Sequence, residues 1–168
     1  VADPEGMDDL LVDLFLEAYD HPPEEIILDV DATDDPLHGN QEGRFFHGYY
    51  RSYCYLPLYI FCGEHLLCAR LRKADQDGAA GTVDELTRII ERIRLSWPDT
   101  RIIVRGDAGF CRDDLMAWCE AHSVDYVLGL AKNSRLKAII AEDMAQAKSQ
   151  YESSETAARV FRDFRYRT

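Results

Sequence analysis

Apolar residues recur along this chain in two different periods, and the alternation between those periods lays out its elements. Leu10, Leu11, Leu14, Phe15 and Ala18 return at helical spacing until His21-Pro22-Pro23 stops the helix. Ile26, Ile27, Leu28 and Val30 form a compact apolar run interrupted only by Asp29 and Asp31, and Asp34-Asp35-Pro36 with His38-Gly39 supplies turn chemistry. This reads as a buried strand that ends in acids. From Phe45 to Phe61 aromatic and β-branched residues crowd together, with Pro57 marking a bulge or an edge. Cys62-Gly63-Glu64 reads as a tight turn, after which Leu67, Ala69 and Leu71 alternate with Cys68, Arg70 and Arg72. The period of two predicts a half-buried strand, and the two segments together predict an antiparallel hairpin.

Downstream the helical period takes over. Thr82 with Glu85 has the spacing of a capping box ahead of Leu86, Ile89, Ile90 and Ile93, and Trp97-Pro98 ends that helix. Ile102 to Val104 predicts another buried strand, closed by Gly106-Asp107-Ala108-Gly109. A helix over 113–122 and a strand over 126–130 follow. Leu136, Ile139, Ile140 and Met144 then mark a further amphipathic helix, and 149–167 is polar and weakly patterned. Three strands precede the first crossover helix, which favours an α/β chain with a mixed sheet over a strictly alternating parallel one. If the crossover helix returns the fourth strand beside the first, right-handed connection makes those two parallel, with their ends on one edge.

Composition narrows the class. A chain of 168 residues with 46% apolar and 30% charged residues can bury one good core. It holds no run of about 18 apolar residues to span a bilayer, and its acidic start lacks the basic and apolar segments of a leader. A cytoplasmic protein without a membrane partner is the expectation. The five cysteines include no pair at the two-residue spacing of zinc or redox motifs, so they read as small buried thiols in a reducing compartment. The net charge of −12 argues against a free-standing nucleic-acid binder, which usually neutralises phosphates with Lys and Arg. Carboxylates gathered round metal ions, or a basic region lying elsewhere, would reconcile the charge with such a role.

Asp31 and Asp107 each end an apolar run. Taken alone, either is an ordinary turn former; in the topology above the two converge across neighbouring strand tips. Close carboxylates repel unless they share a proton or a cation. Magnesium takes oxygen ligands and is commonly held by one or two carboxylates with water and phosphate oxygens. In polymerases and nucleases, two such ions roughly 4 Å apart activate the attacking oxygen and stabilise the leaving one.

The residues Leu28-Asp29-Val30-Asp31-Ala32-Thr33-Asp34-Asp35-Pro36-Leu37-His38-Gly39, then Tyr53-Cys54-Tyr55-Leu56-Pro57-Leu58, then Arg105-Gly106-Asp107-Ala108-Gly109-Phe110, resemble a branch of the DDE-type transposases of bacterial insertion sequences. The resemblance runs from about Leu10 to the end. It implies a ribonuclease H-like fold, a five-stranded mixed sheet flanked by helices, with Asp31 and Asp107 as the first two catalytic, metal-binding acids. Asp29 shares a face with Asp31 and is either an accessory ligand or a bystander. The resemblance further implies a two-metal site for Mg2+ or Mn2+, cleavage at transposon ends with strand transfer to target DNA, and a homodimer in the synaptic complex of a bacterial cytoplasmic enzyme. It divides the chain into a helical lead-in over 1–25, a catalytic core over 26–133 and the start of a helical insertion over 134–168. The third acid, a glutamate after a tyrosine and arginine pattern, is expected beyond residue 168. Glu142, Glu152 and Glu155 read as solvated acids, and a fragment lacking the third acid is expected to be inactive alone.

A second reading comes from Asp29-Val30-Asp31-Ala32-Thr33, which also fits the D-x-D-x-T signature of haloacid-dehalogenase-like magnesium-dependent phosphatases. Asp29 would then be the nucleophile, Asp31 the general acid and Asp107 a magnesium ligand. That fold requires a doubly wound parallel sheet and a lysine opening a helix, whereas Lys73 falls at the end of a predicted strand. Among the cations, Arg70, Arg72, Lys73, Lys132 and Arg135 are either DNA-backbone contacts or solvated charges. The aromatic cluster of 45–61 either stacks bases or packs a core. His38, His47 and His65 are too loosely spaced to be a ligand set.

Overall fold

The computed structural model describes residues 4–166, in two compact units, Val1–Leu130 and Ala131–Thr168. The first unit opens with α1 (Pro4–Glu17) and β1 (Glu25–Ala32). Three short strands follow, β2 (Asp35–Pro36), β3 (Phe45–His47) and β4 (Ser52–Tyr55), and then the hairpin β5 (Leu58–Cys62) and β6 (His65–Arg70), turning at Gly63. α2 (Thr82–Ser96), β7 (Arg101–Gly106), α3 (Asp113–Ala121) and β8 (Asp125–Leu128) complete it.

Five strands form one sheet in the order β6-β5-β1-β7-β8. β6, β5 and β1 are mutually antiparallel, whereas β1, β7 and β8 run parallel. The long crossover through α2 thus returns β7 beside β1, and the two are parallel, as expected if the fourth strand lies beside the first. This is the five-stranded mixed sheet that the sequence predicts. Its antiparallel half excludes the doubly wound parallel sheet needed by the phosphatase reading.

Alternation along the strands decides which face is covered. Ile26, Leu28 and Val30 of β1, with Ile102 and Val104 of β7, are buried in one cluster with Val12 and Phe15 of α1, Leu86, Ile89, Ile90 and Ile93 of α2, and Leu115 and Cys119 of α3. The opposite face carries half-buried or exposed side chains, among them Asp29, Asp31, Arg101 and Arg105. Cys54, Leu56 and Ala74 form a second, smaller cluster under the three-stranded sheet β2-β4-β3, with Ala32 and Tyr50 packed against it.

Several local expectations are corrected. α1 buries Val12 and Phe15, whereas Leu10 and Leu14 are each 53% exposed, because the helix meets β6 and α2 through a face rotated from the predicted stripe. The capping box does not form. Gly81 caps α2 in the left-handed region, Thr82 lies within the helix with its buried hydroxyl unpartnered, and Glu85 is drawn to Arg70 and Arg88. β8 begins at Asp125 and ends at Leu128. In the second unit the single helix expected from Ser134 is two, α4 (Ser134–Ile139) and α5 (Ala141–Ser154), meeting at Ile140. Asn133 caps α4 by accepting the Leu136 N–H on its side chain.

All five cysteines are free, four of them buried. Burial pushes the Cys68 thiol up to about 12 and the Cys119 thiol up to about 11. Among the described residues, no helix is long and apolar enough to cross a membrane.

Candidate active site

The register between β1 and β7 sets the site. Val30 lies opposite Gly106 in the parallel pair, so Asp31 and Asp107, the next residue on each strand, leave the same edge of the sheet side by side. Both are exposed. Asp31 is still inside β1, where it faces Tyr59 of β5 across the antiparallel pair. Asp107 begins a turn: its Oδ1 accepts the Gly109 N–H at 2.7 Å and its carbonyl accepts the Phe110 N–H at 3.2 Å.

Close packing fixes these tips. A Cβ on Gly106 would stand 2.8 Å from Val30 Cγ2 and 3.0 Å from Phe110 Cβ. One on Gly129 would stand 2.9 Å from the Ala108 nitrogen. The Gly129 N–H in turn donates to the Gly106 carbonyl. Glycine is required at 106 and 129 for that close approach, which lets the β7 turn settle against β1 and β8.

Asp29, the accessory candidate, lies two residues before Asp31 on the same face. Both its oxygens accept from Arg105 on β7, at 2.5 and 2.7 Å. The pair is bidentate, the strong geometry for arginine and carboxylate. The guanidinium of Arg105 is held above its ordinary value, first by the hydrogen bonds to Asp29 and then by its charge.

Two of the cations considered as DNA contacts serve the fold. Arg70 donates to both Asp8 and Glu85, tying β6 to α1 and α2. Arg72 donates to the carbonyls of Leu56, Gly78 and Ala80, so it pins the loop before α2 against the start of β5. A second pin joins that loop to the segment after Asp107, through Arg112 and Asp77 at 2.9 Å. The Arg112 hydrogen bond, and then the Ala79 N–H, hold the Asp77 carboxyl below its usual range.

These loops wall a cleft of 170 Å³ beside Asp107, floored by Phe110 and Gly78 and roofed by His47, Tyr49 and Tyr50. His47 ends β3, and Tyr49 and Tyr50 lie in the turn from β3 to β4. From sequence, the two tyrosines belong to a stretch that either stacks bases or packs a core, and His47 is too loosely spaced from other histidines to mark a ligand set. Asp34 reads from sequence as a turn former. The Tyr50 phenol is pushed up, first by burial and then by the negative charge of Asp34, followed by Tyr49, Asp31 and Asp107. In the aromatic stretch itself, Phe45, Phe46 and Tyr53 are about half exposed, whereas Leu58 and Ile60 are fully buried, so only its second half is core.

Hard carboxylate oxygens side by side at one strand edge fit magnesium or manganese, which need few protein ligands and complete their shells with water and phosphate. Among the described residues, no group of three or more His, Cys, Asp or Glu side chains gathers to hold a metal ion.

Across residues 1–168 the chain matches the family described as Transposase DDE domain group 1. Curated proteins give no match. Among solved structures, the catalytic domain of Mos1 mariner transposase is similar at 11% identity and a TM-score of 0.45, over 95% of this chain and 85% of that one. The HTLV-2 integrase catalytic core domain in complex with magnesium, in its trimeric form, is similar at 9% identity and a TM-score of 0.40, over 80% and 76%. The piggyBac transposase in its synaptic complex with hairpin DNA is similar at 11% identity and a TM-score of 0.42, over 68% of this chain and 24% of that one. The mixed sheet, with an acid at each of two neighbouring parallel strand tips, is thus accompanied by a family match along the whole sequence: the chain belongs to the DDE transposase domain family, whose members are DNA phosphoryl-transfer enzymes.

Proposed function

We propose that Asp31 and Asp107 are the catalytic acids through which this domain holds Mg2+ or Mn2+ at a two-metal site, to cut DNA at transposon ends and transfer the cut strand to target DNA. The observation that supports this reading is the Val30 to Gly106 register, which carries the two carboxylates to one edge although they lie far apart in sequence. Bound there, the metal ions would supply Lewis-acid activation of the attacking oxygen and neutralise charge on the phosphate. The chain's own residues do the rest. The strand tips fix the spacing of the acids, the Gly109 N–H orients the Asp107 carboxylate, and the Arg105 pair keeps Asp29 from competing with Asp31. Asp29 therefore serves in this reading as a strand-pairing residue rather than a ligand.

In the cleavage step a water oxygen bonds to phosphorus, the bond from phosphorus to the 3′ oxygen breaks, and that oxygen leaves as a hydroxyl. In the joining step the same hydroxyl attacks a target phosphodiester. Both steps place negative charge on one phosphate, so a pair of acids is useful only with cations present. Partners follow from the chemistry: transposon-end and target DNA, and a second copy of the enzyme to bring two ends together. The setting is the bacterial cytoplasm of an insertion sequence. The third acid of the set is not assigned to Glu142, Glu152 or Glu155, whose sequence surroundings lack the tyrosine and arginine pattern expected before it.

Strand cleavage by the full-length transposase on its own terminal repeats tests the reading. Asp31→Asn and Asp107→Asn are each expected to lower the single-turnover rate by roughly 10³-fold or more. Cleavage at the normal rate in either variant removes that acid from the mechanism.

A further inference from the structure

The turn that joins β3 to β4 has a construction that the metal-holding acids alone do not explain. The Arg51 N–H closes it onto the His47 carbonyl at 2.8 Å, and Arg51 itself sits at φ 55°, in the left-handed region that a non-glycine residue adopts at a cost. The closure brings two rings against Tyr50. The His47 ring lies 4.9 Å from it, and the Tyr49 ring meets it edge-on at 5.0 Å and 88°. Below, Tyr50 packs on the small cluster of Cys54, Leu56 and Ala74, next to Ala32, the residue after Asp31. A surface turn would leave a tyrosine mobile; this one fixes it on three sides, in the roof of the cleft that contains Asp107.

What the phenol faces is equally specific. It lines the same cleft as Asp107, together with Ala32, the residue after Asp31, and among the described residues its hydroxyl has no hydrogen-bond partner. His47, in the same roof, has Nδ1 buried and unpartnered among the described residues. Buried polar atoms normally find partners, so a roof with such an atom is suited to a ligand that brings acceptors or water. A lysine or arginine at position 50 would collapse into an ion pair with the acids. A phenol, protonated at neutral pH, remains a neutral donor that can meet an incoming anion.

We propose that Tyr50, fixed by His47 and Tyr49, is a substrate-positioning residue whose hydroxyl donates a hydrogen bond to a nonbridging oxygen of the scissile phosphate beside Asp31 and Asp107. This rests on the assignment of those two acids as the metal site. The hydrogen bond transfers no proton; it selects which phosphate oxygen turns toward the roof and which turns toward the metal-holding carboxylates.

The test uses full-length transposase and its own terminal repeats, in single-turnover cleavage with Mn2+. Tyr50→Phe is compared with the unsubstituted protein on an oxygen substrate and on the separate Rp and Sp phosphorothioates at the scissile position. Manganese affinity by electron paramagnetic resonance and thermal unfolding are measured alongside. The expected result is a loss of roughly 10- to 100-fold on the oxygen substrate. One diastereomer should be cleaved equally by both proteins, because sulfur there has already removed the acceptor. Manganese affinity and melting temperature should not change. Cleavage by Tyr50→Phe at the normal rate overturns the proposal, as does an equal loss on the oxygen substrate and both diastereomers. A parallel loss of manganese affinity also overturns it, since the phenol would then be holding the acids rather than the phosphate. Unchanged manganese affinity in Asp31→Asn is a different failure, one that removes the metal assignment itself.

Discussion

Replacing Gly106 with alanine isolates the contact that brings the two acids together. The new methyl group would lie 2.8 Å from Val30 Cγ2, 3.0 Å from Phe110 Cβ and 3.3 Å from Leu128 Cδ2. Carbon atoms in good contact are about 3.5–4.0 Å apart, so the shortfall against Val30 is about 0.7–1.2 Å. Val30 is buried in the main core and cannot swing into solvent, which leaves separation of β1 and β7 at their tips as the main relief. Overpacking of this kind costs about 1–3 kcal/mol. For a chain of this size that corresponds to a fall in Tm of roughly 2–12 °C. Urea and thermal unfolding of Gly106→Ala, Val30→Ala and the double variant measure it. Val30→Ala removes the opposing methyl groups, so the double variant should be more stable than the sum of the single effects by about 0.5–2 kcal/mol. Additivity within about 0.3 kcal/mol would show that the methyl group does not press on Val30, and would refute the claim that this contact sets the spacing of the strand tips.

Two further perturbations probe what surrounds the site. Arg72→Lys keeps the charge but cannot serve three carbonyls with one planar fork, so it should cost about 1–3 kcal/mol in urea unfolding and speed proteolysis within 75–81; unchanged cleavage of that loop would show that Arg72 does not pin it. The thiol of Cys68, raised from its ordinary 9.0 to about 12 by burial, predicts alkaline sensitivity with a definite sign. The folded state holds its proton where the unfolded state has lost it, so the contribution is intact below about pH 9 and is lost as pH rises toward 12, by up to about 1.4 kcal/mol per pH unit. Urea midpoints at pH 8, 9, 10 and 11 should therefore fall, and fall less steeply in Cys68→Ala; equal slopes in the two proteins would remove Cys68 as the cause.

The parts of this molecule that were legible in the sequence are those whose physics is carried by a long apolar run. β1 and β7 each place alternate residues in the main cluster, and α2 repeats leucine and isoleucine at helical spacing, so periodicity alone located them. The parallel direction of β1 and β7 followed from the connection rules once the crossover was taken to return the fourth strand beside the first. Asp31 and Asp107 could be singled out because each stands where such a run stops, and the register of Val30 with Gly106 agrees with that topology. β2 and β3, with two and three residues, are too short to show any period, and they are held by pairing to β4 rather than by burial, with Phe45 and Phe46 about half exposed. The partner of β2 lies some eighteen residues on, outside any short local window, and β3 depends on a turn that residue pattern alone does not announce.

The same distinction explains why sequence reading misjudged polar residues more than apolar ones. Thr82 and Glu85 have the spacing of a capping box, yet Glu85 meets Arg70 from a distant strand and Arg88 on its own helix, and two cations outcompete one backbone N–H. Arg70 and Arg72 fall in a segment whose alternation predicts a strand with both turned outward and free for a ligand, although β6 ends at Arg70. In the fold, acids of α1 and α2 reach one of them and loop carbonyls reach the other. Tyr50 reverses the error, for an aromatic residue in a β-rich stretch is expected to pack, and it does pack, but in the lining of the cleft that contains Asp107. An apolar side chain is placed by the face on which it falls. A polar one is placed by whichever partner the folded chain brings to it, and for that reason the roof of this cleft became visible only after β3 and β4 were paired.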